Sequence, residues 1–99
     1  MLAFVDNEGR NIVAYDKNSK QISRMSASEY DVLGVALDFF VVRDRRYIKT
    51  YDENCREIGR VSMSDYESVT VGGQTFTVKD GRNAITFDSD CKVISKRHL

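Results

Sequence analysis

The sequence predicts an all-β domain, an antiparallel meander built from a 36-residue internal repeat, and three observations predict it. The stretch NIVAYDKNSKQISRMS, Asn11 to Ser26, returns as YIKTYDENCREIGRVS at Tyr47 to Ser62 and as NAITFDSDCKVISKRH at Asn83 to His98. Laid over each other without gaps, Ile12–Arg46 and Ile48–Arg82 share 14 identities in 35 positions, where unrelated sequences share about two on ordinary residue frequencies. A period of this size marks one supersecondary unit per repeat. The second observation is period-two alternation, clearest in QTFTVKDGRNAITFD, where Phe76 and Val78 alternate with Thr75, Thr77 and Lys79. The third is that turn signals recur at matching places in the repeat.

Taken in order, the chain opens on MLAFVDNEGR, where Phe4 stands 36 residues before Phe40. Residues 1–11 therefore form the tail of a unit, 12–47 and 48–83 are whole units, and 84–99 is the head of another: about 2.7 units in one domain. A hairpin turn is expected at Asn7–Asn11, at Arg43–Tyr47 and at Asp80-Gly81, even though Arg45 replaces the favourable glycine. The next strand ends at Tyr15-Asp16, Tyr51-Asp52 or Phe87-Asp88. Each Asp opens a second turn, because its carboxylate accepts hydrogen bonds from backbone N–H groups two residues on.

The third strand runs into SASEY or SMSDY, where Ser26 with Glu29, and Ser62 with Asp65, have the spacing of a capping box. Alone, SASEYDVLGVALDFF reads as a helix. Its partner SMSDYESVTVGGQTF does not, since β-branched Val69, Thr70 and Val71 run into Gly72-Gly73. Two units this similar share a backbone, so about one helical turn is expected near Ser28–Asp31, followed by a return to strand. Four short strands per unit result. They close in one of two ways: the chain ends pair into a small barrel or trefoil-like body, or propeller-like blades are completed by oligomerisation. The chain has no proline, which removes one usual protection of edge strands and favours pairing between subunits.

With 99 residues, 41% hydrophobic and 30% charged, the composition is that of one small soluble domain. Lys plus Arg and Asp plus Glu are both 15, so no net field draws the chain to nucleic acid or to an anionic membrane. The N-terminus lacks the apolar run of a signal peptide, and the longest apolar stretch, VLGVALDFFVV, is broken by Asp38. A cytoplasmic protein without membrane association is expected. Two cysteines are too few for a disulfide framework.

Few residues suggest chemistry. Cys55 and Cys91 share a repeat position with Ser19, and the cation that follows each, Arg56 or Lys92, could lower a thiol pKa. A small residue at a tight turn is the preferred reading, and two sulfurs fall short of a zinc site. His98 is the only histidine, at the chain end, which disfavours a Ser/His/Asp or Cys/His constellation. Glu8, Asp44 and Asp80, like Asp16, Asp52 and Asp88, recur with the turns and read as turn residues. No catalytic residue, metal ligand or cofactor is assigned.

The cations also recur, as Lys20/Arg56/Lys92, Arg24/Arg60/Lys96 and Arg10/Arg46/Arg82, and each set forms a spatial row if the units are related by stacking. Tyr30 and Tyr66 form an aromatic pair, and Tyr15, Tyr51 and Phe87 a triplet. YDKNSKQISR and YDENCREIGR resemble the YD repeats of large secreted shell proteins, whose units carry Tyr-Asp followed by Gly-Arg. Here Ser19, Cys55 and Cys91 stand where that glycine would be, the unit is longer, and no function is carried over.

The expectation is a non-enzymatic β-repeat module that forms a homo-oligomer and meets a protein partner through its edge strands. Its candidate binding residues are Arg24, Arg60 and Lys96, with Tyr30 and Tyr66 as anchors. The alternative is a small-ligand or glycan-binding module with equivalent sites between repeats, lined by Tyr15 and Tyr51. An enzyme would have to use Cys55 or Cys91.

Overall fold

The fold is seen in a computed structural model that describes residues 2–8, 10–26, 30–62 and 66–98. Among the described residues, eleven antiparallel strands form three separate sheets, each a simple up-and-down meander. The first holds β1 (Phe4–Glu8), β2 (Asn11–Tyr15) and β3 (Gln21–Ser26). The second holds β4 (Asp31–Val35), β5 (Phe39–Asp44), β6 (Tyr47–Asp52) and β7 (Glu57–Ser62). The third holds β8 (Ser68–Gly72), β9 (Thr75–Lys79), β10 (Asn83–Asp88) and β11 (Val93–His98). The expected all-β meander is present, and the described residues contain no helix. Ser28 and the capping-box partners Glu29 and Asp65 lie outside the described residues, while Asp31 opens β4.

The repeat period corresponds to one sheet. Its phase differs from the one suggested by sequence identity, because each four-stranded sheet begins with the β4 or β8 segment and takes its last two strands from the next unit. By repeat position β1, β5 and β9 correspond, as do β2, β6 and β10, and β3, β7 and β11.

The closed-barrel alternative is not what forms: β1 and β11 are edge strands of different sheets. The physical reason lies in β5. Phe39, Phe40, Val41 and Val42 are all buried, none more than 1% exposed, and a strand with four consecutive buried apolar residues needs a partner layer on both faces. Phe40 and Val42 pack with Ile12, Ala14 and Tyr51 in a core between the first and second sheets. Phe39 and Val41 pack with Ile48, Phe76, Val78 and Phe87 in a core between the second and third. The second sheet is thus the middle layer of a stack measuring 40 × 25 × 18 Å.

Alternation places each repeat position on a fixed face. Phe40 and Phe76, Val42 and Val78, and Tyr51 and Phe87 face the preceding sheet; Ile12 and Ile48, Val5 and Val41, and Ile22 and Ile58 face the following one. The second and third sheets approach closely at β4 and β8, where a Cβ on Gly34 would come within 2.5 Å of Val71 Cγ2. Nearby, the Leu37 N–H donates to the carbonyl of Gly73, its own repeat equivalent, at 3.2 Å.

Candidate functional site

The three Asp turns are near-copies of one another. Asp16 Oδ1 accepts from the N–H groups of Asn18 (2.9 Å) and Lys20 (3.0 Å), Asp52 Oδ1 from Asn54 and Arg56, and Asp88 Oδ1 from Asp90 and Lys92, at the same two distances. The backbone closes each turn, with Ser19, Cys55 and Cys91 donating to the Asp carbonyl at 3.0 Å. These three residues have φ of 61°, 60° and 61°, a left-handed conformation that costs a non-glycine residue roughly 1–2 kcal/mol. The two N–H bonds to each carboxylate offset that cost. They also hold the Asp16 carboxyl below the ordinary carboxylate range.

Two of these turns dock on the preceding sheet. Ser23 of β3 donates its hydroxyl to the Glu53 carbonyl at 2.6 Å, and its oxygen lies 3.1 Å from Cys55 Sγ. Thr50 of β6 donates to the Ser89 carbonyl, also at 2.6 Å, and lies 3.7 Å from Cys91 Sγ. Glu53 and Ser89 are repeat equivalents, but the two donors are not: Ser23 corresponds to Gly59, and Thr50 to Ala14. The second interface moves the hydroxyl one strand inward and leaves Gly59 bare, because a Cβ there would sit 2.5 Å from the Asp90 carbonyl oxygen.

Both cysteines are half-buried free thiols, and burial pushes both pKa values up, against smaller lowering contributions from Ser23 and Thr50. The cations at Arg56 and Lys92 do not activate them. Cys55 and Cys91 are expected to react with iodoacetamide at least ~10-fold slower in the folded protein than in urea, since only the thiolate reacts and burial suppresses it. Equal rates in both states would show that the turns open freely.

A polar cluster is set into the first interface. The Lys49 ammonium lies 2.7 Å from Asp44 Oδ2 and 3.6 Å from Glu57 Oε1, with side-chain exposures of 9%, 19% and 32%. It also donates to the Tyr30 hydroxyl at 3.4 Å and sits 5.3 Å from the centroid of that ring. Glu57 continues outward to Arg60, which makes bonds of 2.9–3.1 Å with both carboxylate oxygens. The Lys49 contact lowers the Asp44 pKa, the Asp44 contact raises that of Lys49, and burial pushes the Tyr51 phenol up. The equivalents of Lys49 are Val13 and Ile85, so this cluster is private to the first interface.

The sequence-derived candidates separate into two groups. Arg24, Arg60 and Lys96 are exposed and occupy matching places on β3, β7 and β11, the edge strands at one side of the three sheets. The tyrosines pack between sheets instead: Tyr30 against the first core and Tyr66 against the second, with the Arg43 guanidinium 5.7 Å from the Tyr66 ring centroid. Tyr51 is 6% exposed and stacked on Phe40. Tyr15, on the outer face of the first sheet, stacks on Phe4 and donates its hydroxyl to Glu8. Sequence reading missed Lys49, Glu57, Thr50 and Ser23. The only signal for Lys49 was a cation in an otherwise apolar repeat position.

Among the described residues no group of three or more His, Cys, Asp or Glu is placed to hold a metal ion, and no helix is long and apolar enough to cross a membrane. No family model and no curated protein matches the chain. Among solved structures, it is similar to the crystal structure of Kluyvelomyces marxianus Hsv2, with a TM-score of 0.63 and 10% sequence identity, over 96% of this chain and 35% of that one. That similarity concerns the fold, and this chain spans about a third of the length of the neighbour.

Proposed function

We propose that the protein is a non-enzymatic β-repeat module that self-associates and presents its edge strands to a protein partner. The observation that carries this reading is the distribution of exposed groups. Every residue of β11 is exposed, Val93 by 60% and Ile94 by 56%, and Phe4 at the other end of the stack is 42% exposed. β3, β7 and β11 carry Arg24, Arg60 and Lys96 along one side. An added strand would gain main-chain hydrogen bonds from such an edge, and the cations would select an acidic partner. A small-ligand or glycan site between repeats is the second reading. It is less well supported, since Tyr51 is packed away and Tyr15 is engaged by Phe4 and Glu8.

Native mass spectrometry over a concentration series tests the first half of the reading. A dimer or larger closed species is expected, and a monomer throughout would refute self-association. Reversing the charge with Arg24→Glu and Arg60→Glu together is expected to abolish partner binding while leaving the far-UV circular dichroism unchanged. Undiminished binding would remove these cations from the site.

A further inference from the structure

The docking device that joins the sheets occurs twice inside the chain, and one more copy of each half lies at the two ends of the stack. The turn half is Asp16–Lys20, whose hydrogen bonds and left-handed Ser19 match those of the two docked turns, and whose residues 17–20 are all exposed. The receiving half is the outer face of the third sheet. Strand pairing sets Thr77, Thr86 and Ser95 in one row across that face, and Lys79, Ala84 and Arg97 in the next. In the second sheet the corresponding rows are Val41, Thr50 and Gly59, then Arg43, Ile48 and Val61.

We propose that a second copy of this chain docks head to tail, with its Asp16–Lys20 turn seated on the Thr86 and Ser95 face of the third sheet. The proposal rests on the self-association reading and specifies its contact. Three observations carry it. First, the outer face holds both hydroxyl donors that the internal interfaces use singly: Ser95 is the repeat equivalent of Ser23, and Thr86 of Thr50. The acceptor they would meet is the Lys17 carbonyl, equivalent to those of Glu53 and Ser89. Second, Ile22 and Ile58 are packed into the two internal cores, whereas their equivalent Ile94 is 56% exposed. Third, the two end faces carry charges that can pair: Lys79 and Arg97 stand on the third sheet, and on the first Asp6 and Glu8 occupy the outward positions of β1, with Arg24 in the same row as Asp6.

The contact differs from the internal interfaces in being more polar, with Thr77 and Arg97 where the second sheet has Val41 and Val61. It is therefore weaker and weakens further with salt. Because it joins unlike surfaces, it closes into a ring if the rotation between copies permits and otherwise propagates.

Cross-linking tests it. In a Cys55→Ser, Cys91→Ser background, one chain carries Ser19→Cys and another Ser95→Cys. The two are mixed with oxidised glutathione, which accepts the two electrons and two protons released as the disulfide forms. At the first internal interface the equivalent pair, Ser23 Oγ and Cys55 Sγ, lies 3.1 Å apart, within reach of a disulfide after side-chain adjustment. A covalent heterodimer is expected from the native mixture, absent from either chain alone and absent in urea. Adding Ile94→Glu, or raising the salt, is expected to abolish it.

Self-association of the wild type without the 19–95 cross-link overturns the head-to-tail contact and leaves the reading under Proposed function standing. A cross-link of the Ser95→Cys chain with itself likewise overturns it, in favour of a symmetric pairing of third sheets. A wild type that stays monomeric overturns both. If the serine background fails to fold, Ile94→Glu in the wild-type chain, read by native mass spectrometry, decides the same question at an exposed position. Oligomers unchanged by that substitution count against the proposal.

Discussion

Gly59→Val is expected to lower the stability of the protein by at least about 3 kcal/mol and its Tm by roughly 15 °C, on the usual 4–8 °C per kcal/mol for a domain of this size. A Cβ at this position would meet three backbone atoms of Asp90, its oxygen at 2.5 Å, its carbonyl carbon at 2.8 Å and its Cα at 3.3 Å. A flexible side chain could swing away, but the turn around Asp90 is held by the Asp88 carboxylate and by the Thr50 hydroxyl on Ser89. The third sheet must therefore back off as a unit, which strips contacts from the core around Phe76, Val78 and Phe87. Gly59→Ser is the sharper test, because serine is the native residue at the equivalent positions 23 and 95. It is also expected to destabilise, by more than about 1 kcal/mol. Chemical denaturation of the two variants decides the matter, and a neutral Gly59→Ser would mean that the two interfaces are interchangeable.

Lys49→Met is expected to cost about 2–3 kcal/mol, although the stem of the side chain is kept. Removing one partner of a buried ion pair leaves the other charge uncompensated, and the loss here falls below the roughly 3–5 kcal/mol of fully buried pairs because Asp44 and Glu57 keep some solvent. The pH dependence separates this account from simple packing. The Asp44 pKa is depressed in the fold by Lys49, so its contribution is present above the unfolded carboxylate pKa of about 3.9 and is lost as pH falls through the lower folded value. The Lys49 pKa is raised, so its contribution is present below about 10.4 and lost as pH rises through the folded value. In Lys49→Met both dependences are expected to shrink. Urea midpoints measured from acid to alkaline pH would show parallel curves for the two proteins if the cluster contributed nothing.

Strands and turns were legible from the repeat taken together with its period-two alternation and its turn residues. Each turn is a local event: the Asp16, Asp52 and Asp88 carboxylates bond N–H groups two and four residues on, and Arg45 takes a positive φ of 55° where the equivalent Gly81 takes 84°. The phase of the sheets was less legible, because a cyclic pattern has no origin until the layers choose their partners. The candidate site divides along the same line. Arg24, Arg60 and Lys96 fall on equivalent edge positions, as a repeat requires. Tyr30 and Tyr66 recur at the same period, just before β4 and β8, but serve the inter-sheet cores, since a tyrosine fits either a boundary or an interior when its ring finds apolar neighbours.

What the sequence by itself determined is the all-β class, the 36-residue period, the strand order along the chain and the chemistry of the turns, because each depends on residues a few positions apart. Only the tertiary structure decided that the sheets stack as separate layers instead of closing a barrel, that Thr50 and Gly59 exchange the roles of Ser23 and Ala14, and that Lys49 is buried against Asp44. Those outcomes depend on which faces meet: the groups that dock one sheet on another are 30 or more residues apart, as Ser23 and Glu53 are, and Lys49 and Asp44, close in the chain, are covered only where two sheets meet. Two repeats with the same local pattern can then build different interfaces from it.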